Sequence, residues 1–154
     1  MRYSYQPIPT EVVDWHRREK VDWQGNEILF MNDGGTYPCR HCLKESGSSS
    51  GALLFSYQPI LPKGVYAQPT AVFICNDDCK KPDEESEVPE IVYNRFVALR
   101  TFRENGMMDY GVNTLCDGSD VAKAMDSIFE NDEVAFVNIH TALAGCLLCT
   151  VRRT

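Results

Sequence analysis

Six of the seven cysteines in this chain fall into three closely spaced pairs. The pairs are Cys39 and Cys42, Cys75 and Cys79, and Cys146 and Cys149. Two thiols separated by two or three residues can bind the same tetrahedral metal ion, or they can form a dithiol–disulfide couple. The spacing therefore predicts sulfur chemistry, either at a metal site or at a redox site.

The first two pairs suit a metal ion best. Cys39 and Cys42 follow a predicted turn that is rich in glycine, and Cys75 and Cys79 lie where a predicted strand ends. A structural zinc site commonly takes its four sulfurs from two such pairs. In the treble-clef type of site, which this layout resembles, residues 76–81 would form a helical turn. We therefore predict that Cys39, Cys42, Cys75 and Cys79 hold a zinc ion.

Redox chemistry is the main alternative at the first pair. Arg40 and His41 lie between Cys39 and Cys42, and a nearby cation would favour the thiolate form of either cysteine. A thiol redox or sulfur-handling enzyme that uses Cys39 and Cys42 therefore stays open, as does a set of free thiols. We expect His41 to point outward, because a residue between two metal ligands usually does so.

The other cysteines and histidines are expected to be structural. Cys146 and Cys149 flank two leucines in a predicted strand, where residues three apart face opposite sides of a sheet. We expect both in the core, although a part in the metal site stays open for either thiol. Cys116 is expected in the core or at a helix entry, His140 at a strand end, and His16 on the surface.

Composition bounds the architecture and the partners. The 154 residues, 44% of them hydrophobic, predict a single domain, 1–154, that buries a real core. A net charge of −7 and scattered basic residues argue against a nucleic-acid partner. The first residues lack the apolar stretch of a signal peptide, and no apolar run is long enough for a membrane span. We therefore expect a cytoplasmic protein with an unknown protein or small molecule as its partner.

Local patterns predict an α+β fold with a mostly antiparallel sheet. Apolar residues at helical spacing indicate one helix over residues 120–130, and a short helix over 11–18 would be capped by Thr10. Strands are predicted at 52–57, 71–75, 134–140 and 146–152. An Asn-Gly turn predicts a hairpin between 96–102 and 107–112. Residues 58–69 and the acidic segment 80–90 are predicted loops.

Several of these segments together resemble a known family of bacterial proteins. They are Tyr37-Pro-Cys-Arg-His-Cys-Leu43, Leu53-Leu-Phe-Ser-Tyr57, Ala71-Val-Phe-Ile-Cys-Asn-Asp-Asp-Cys79, Val134-Ala-Phe-Val-Asn-Ile-His140 and Gly145-Cys-Leu-Leu-Cys-Thr-Val-Arg152. The chain is similar in them to domain-of-unknown-function family 1203. The resemblance implies a single-domain protein of this length with no established activity, so it supplies no substrate.

The function most consistent with these patterns is a small zinc-stabilised binding or accessory domain. The chain has no phosphate-binding glycine loop, no Gly-x-Ser-x-Gly and no His-Glu-x-x-His motif. No catalytic residue is therefore predicted, and the sequence leaves open whether the protein is an enzyme.

Overall fold

The computed structural model describes residues 3–59, 64–83 and 86–154. Within them, the strands are β1 Tyr3–Gln6, β2 Leu29–Met31, β3 Tyr37–Pro38, β4 Glu45–Ser46, β5 Ala52–Tyr57, β6 Thr70–Cys75, β7 Phe96–Phe102, β8 Thr114–Asp117, β9 Phe136–Thr141 and β10 Leu147–Arg153. The helices are α1 Thr10–Glu19, α2 Glu90–Tyr93 and α3 Val121–Ile128, with a 3-10 turn at Gly118–Asp120. The paired strands are antiparallel, which confirms the predicted α+β class with a mostly antiparallel sheet.

The larger sheet has five strands in the order β1-β10-β9-β7-β8. Strand β10 lies between β1 and β9, with Val151 opposite both Tyr5 and Val137. The pairing of β10 with β9 is irregular between Leu147 and Cys149, where a bulge shifts the register. The C-terminal strand is therefore an interior strand of the sheet, and the N-terminal strand forms one of its edges.

Helix α3 covers this sheet with the apolar face that the sequence predicts. Val121, Met125 and Ile128 are buried and belong to the larger core cluster. The 3-10 turn before the helix packs against α2, because a Cβ atom at Gly118 would lie 2.0 Å from the backbone oxygen of Val92. Only glycine fits at that position, so this residue sets how closely the two elements approach.

The smaller sheet has three strands in the order β2-β5-β6, and helix α1 contributes to the same core. Val12 and Val13 of the helix are buried in one cluster with Phe55 of β5. His16 is also fully buried, and its ring stacks on Phe55 with 4.1 Å between the ring centroids. The expectation that His16 lies on the surface is therefore wrong, because the helix turns this ring toward the sheet.

The hairpin prediction was right about the turn and wrong about the second strand. Gly106 has a φ of 83°, as a tight turn after β7 requires. Residues 107–113, however, form a turn that is closed on Asp109, whose backbone oxygen accepts bonds from Val112 and Asn113. Asn113 also accepts bonds from Thr101 in β7. These residues meet the end of β7 at one isolated bridge, between Phe102 and Met108, but they form no strand. The strand that pairs with β7 on this side is β8, further along the chain, and β9 pairs with β7 on the other side.

The two long segments predicted as loops are loops where the structure describes them. The described parts of the predicted loops 58–69 and 80–89 contain neither strand nor helix, and α2 begins at Glu90. Residues 60–63 and 84–85 of those loops lie outside the described residues. No helix in the described part of the chain has the length and apolar character needed to cross a membrane.

Candidate metal centre

The first cysteine pair lies in the tight connection between β3 and β4. The amide of Cys39 donates to the backbone oxygen of Lys44, and the amide of Leu43 donates back to that of Cys39, both at 3.0 Å. Leu43 has a φ of 61°, which reverses the chain direction after Cys42. The amide of Arg40 donates to the backbone oxygen of Phe73 at 2.9 Å, so the turn is attached to β6.

The second pair begins where β6 ends at Cys75. The next residues form a bend rather than a helix, so the predicted helical turn at 76–81 is absent and the treble-clef interpretation is wrong in this half of the site. The guanidinium group of Arg17 takes the place of a helix as the support for the bend. It donates to the backbone oxygens of Cys75 and Asp77, both at 2.9 Å.

The four sulfurs of these pairs converge on one point. All lie within 4.8 Å of one another, and none of the four cysteines forms a disulfide. The distance from Cys39 Sγ to Cys79 Sγ is 3.8 Å, and that from Cys42 Sγ to Cys75 Sγ is also 3.8 Å. Four thiolates at ~2.3 Å from a tetrahedral ion would lie ~3.8 Å apart. These two separations therefore match a tetrahedral metal–thiolate centre.

Cys39 is the most enclosed of the four. Its side chain is buried, and its sulfur accepts hydrogen bonds from three backbone amides. The amides of His41 and Cys42 donate at 3.4 Å, and the amide of Cys75 donates at 3.3 Å. Such N–H···S contacts stabilise negative charge on sulfur, as a metal-bound thiolate requires.

Two further sulfurs have side-chain partners. The Nδ1 atom of His41 lies 3.1 Å from Cys79 Sγ, and Arg17 donates to the same sulfur at 3.5 Å. The hydroxyl group of Ser46 lies 2.9 Å from Cys75 Sγ. His41 is therefore buried against the site, and the expectation that it points outward is wrong.

Thr10 belongs to the support of this histidine. Pro9, and not Thr10, is the residue before helix α1, and Thr10 is the first helical residue. Its hydroxyl lies 2.9 Å from His41 Nε2 instead of capping the helix. A hydroxyl on one ring nitrogen and a sulfur on the other fix the orientation of the imidazole ring, as partners of metal ligands commonly do.

The four cysteines do not share negative charge equally when no metal is bound. Hydrogen bonds from the thiols of Cys42, Cys75 and Cys79 hold the pKa of Cys39 well below its ordinary value. The same interactions raise the pKa of Cys42 and of Cys79, because each donates its proton toward the Cys39 sulfur. A metal ion that takes all four as thiolates must therefore displace protons from the cluster.

Arg40 connects the site to the larger sheet. Its side chain is almost completely buried, and burial lowers its pKa to about 10. Nε donates to the backbone oxygen of Leu147 at 2.7 Å, and Nη1 donates to that of Pro38 at 2.7 Å. The guanidinium group is thus a structural link to β10, a role that the sequence-based expectation of a cation beside Cys39 and Cys42 does not include.

The other predicted candidates lie outside the cluster. Cys149 is buried in the larger core, and Cys146 precedes β10 and is partly exposed. Cys116 lies on β8 and packs against the same core. His140 is buried in β9, with Nδ1 2.9 Å from the backbone oxygen of Gly145. None of these residues joins the four clustered sulfurs.

Sequence reasoning missed three contributors to the site. Thr10, Arg17 and Ser46 contact His41 or the clustered sulfurs from elements distant in sequence. A threonine, an arginine and a serine at these positions carry no motif, so the sequence held no signal that would have placed them.

Comparison with known proteins agrees with the family resemblance. No match to this chain was found among curated proteins or among solved structures. A family model described as "Protein of unknown function (DUF1203)" matches residues 36–153, which include all four clustered cysteines. The match covers most of the chain, and the protein therefore belongs to the DUF1203 family.

Proposed function

We propose that Cys39, Cys42, Cys75 and Cys79 hold a structural zinc ion. The observation that carries the proposal is the convergence of four free thiols whose sulfurs all lie within 4.8 Å of one another, with two of the Sγ–Sγ distances at 3.8 Å. Thiolate ligands favour zinc over harder ions such as magnesium or calcium. The donors around the sulfurs also suit a centre with a net charge of −2, since Arg17 and backbone amides contact them.

A zinc ion with four protein ligands has no open position for water or substrate. It would join the β3–β4 turn to the end of β6 and so stabilise the surface around them. We therefore propose a zinc-stabilised binding or accessory domain, with a protein or small molecule as its partner and the cytoplasm as its compartment. The acidic charge of the chain supports neither nucleic acid nor a phosphate backbone as that partner.

Metal analysis of the purified protein tests this function. We expect about one zinc ion per chain, bound by four sulfurs at ~2.3 Å in X-ray absorption spectra. Cys75→Ser should lose the metal and lower the melting temperature by several degrees or more. Cys116→Ser is the matched control, because Cys116 is also a partly exposed thiol but lies outside the cluster. A zinc content well below one, with stability unchanged by a chelator, would contradict the proposal.

The redox alternative predicts a different result. An enzyme that uses Cys39 and Cys42 as its dithiol would lose two thiols together under mild oxidant, without prior metal release. The burial of Cys39 and the three amides on its sulfur favour a ligand over an attacking nucleophile. Thiol counting with and without chelator separates the two functions, since only a metal-bound cluster gains reactivity on chelation.

A further inference from the structure

The four sulfurs of the proposed zinc site differ in the hydrogen bonds that they accept. Cys39 accepts hydrogen bonds from backbone amides, and Cys79 accepts one from the guanidinium group of Arg17. A metal-bound thiolate has no proton, so the Ser46 hydroxyl beside Cys75 would also donate to its sulfur. Among the described residues, no N–H or O–H group donates to Cys42 Sγ, which lies 3.8 Å from the sulfur of Cys75. Hydrogen bonds withdraw charge from a thiolate and reduce its nucleophilicity, so Cys42 keeps the most electron-rich sulfur.

Cys42 also has access to solvent that Cys39 lacks. It lines a surface groove of about 410 Å³, together with Leu43 and Lys44 from the turn. The groove is closed on its other side by Lys81 and Pro82, which follow the second cysteine pair. A small electrophile can therefore reach this sulfur from solvent, whereas Cys39 is buried. Cys75 and Cys79 are also partly exposed, so Cys42 differs from them in its lack of a hydrogen-bond donor and not in exposure.

We propose that Cys42 is the thiolate at which this site reacts with hydroperoxides, and that the reaction leads to release of the metal. The inference rests on the proposed zinc site and adds to it a redox-sensitive position. Susceptibility of cysteine to oxidation follows thiolate character and exposure, and Cys42 combines both.

The chemistry requires two steps and hydrogen peroxide as the oxidant. The Cys42 sulfur attacks one peroxide oxygen, so that an S–O bond forms, the O–O bond breaks, and the departing hydroxide takes a proton to become water. The Cys75 thiolate then attacks the sulfenic acid, so that an S–S bond forms and a second hydroxide leaves and is protonated. Two thiolates are oxidised by two electrons in total, and one peroxide and two protons become two waters. The disulfide removes two of the four ligands and so lowers the affinity for zinc.

Limited alkylation of the zinc-loaded protein tests which sulfur reacts first. Iodoacetamide is added below one equivalent, and the modified cysteines are identified by peptide mass spectrometry. We expect Cys42 to be alkylated about threefold or more faster than the other three cluster cysteines, since nucleophilicity rises with thiolate basicity. With hydrogen peroxide, a Cys42–Cys75 disulfide should form as zinc reaches a chromogenic indicator.

A variant that keeps all four ligands tests the role of the hydrogen bonds. Ser46→Ala removes the hydroxyl beside Cys75, so the alkylation rate of Cys75 should rise toward that of Cys42. Ser48→Ala, at an exposed residue of the same loop, should leave every rate unchanged. Faster alkylation of another cluster cysteine, or no effect of Ser46→Ala, would overturn this inference while one bound zinc per chain still supported the proposed function. A protein without zinc would overturn both.

Discussion

Arg40 Nε donates to the backbone oxygen of Leu147 across 2.7 Å, and this bond joins the cysteine turn to the first residue of β10. The same guanidinium group donates to the backbone oxygen of Pro38 just before the turn. Arg40, which lies between the two cysteines of the first pair, is therefore fixed to the larger sheet, although Cys39 and Cys42 pack in the core of the smaller one.

Replacing Arg40 by methionine should destabilise the protein by about 2–4 kcal/mol, because the backbone oxygens of buried Leu147 and half-buried Pro38 would lose their donor. Arg18→Met is the control, since Arg18 is exposed and forms a surface ion pair with Glu19; we expect a change within about 0.5 kcal/mol. Urea unfolding at constant zinc concentration measures both. Equal stability of Arg40→Met and wild type would show that the link carries no net free energy.

Zinc binding should release protons from the cluster. The raised pKa values of Cys42 and Cys79 keep both thiols protonated near neutral pH when no metal is bound, so at least two protons should leave per ion. Calorimetric titrations in buffers that differ in ionisation enthalpy give this number directly. Affinity should therefore fall as the pH is lowered. Metal binding that is independent of pH between 6 and 8 would argue against thiolate ligands.

His41 should raise the affinity for metal without being a ligand. Its Nδ1 contact with Cys79 Sγ would be lost in His41→Ala, and we expect zinc affinity to fall about 10-fold or more. His41→Asn should recover part of the loss, because the amide nitrogen of asparagine can occupy the place of Nδ1. Competition with a chromophoric chelator measures the three affinities. An unchanged zinc affinity in His41→Ala would show that this histidine does not contribute to metal binding.

Acid should destabilise the protein partly through His140. Burial is the main cause that lowers the pKa of His140 from 6.5 to about 4; Arg100 and Arg40 lower it further, and the bond to the Gly145 oxygen opposes them. The unfolded state therefore binds more protons between pH 6.5 and 4. The contribution of neutral, buried His140 to the free energy of unfolding is fully present above pH 6.5 and is lost as the pH falls toward 4.

The variant His140→Asn isolates this effect from metal loss. An asparagine can keep the bond to the Gly145 oxygen but does not titrate. Wild type should lose about 1–3 kcal/mol more than the variant between pH 7 and 4. The imidazole resonance of His140 should also titrate well below pH 6 in an NMR experiment. Parallel pH profiles for the two proteins would contradict the prediction.

Prediction from sequence succeeded where the pattern of apolar residues within one short segment determines the element. The apolar face of α3 and the runs that form β5 and β6 are visible without knowledge of their partners. Strand β8 and the edge strand β1 are not, because each is four residues long and depends on a neighbour that is distant in sequence. Their formation is decided by tertiary pairing rather than by local preference.

The same distinction applies to the candidate site. The spacing of the cysteines, together with the predicted strand around Cys146 and Cys149, was enough to select the four that converge, because both are local properties. The surroundings of those sulfurs were not predictable. His41 was expected to face solvent, yet helix α1 and the bend after β6 enclose it, and both lie far from it in sequence.

The family match begins at residue 36, but residues before position 36 also contact the cysteine cluster that lies within the match. Helix α1 supplies Thr10 to the ring of His41 and Arg17 to Cys79, and β1 covers the outer side of β10. A shortened chain that began at the first matched residue would keep all four sulfurs while losing a cation beside them and an edge of the sheet. Recombinant production of the matched residues alone would therefore give a cysteine cluster without the positive charge of Arg17. Its metal affinity would not represent that of the whole chain.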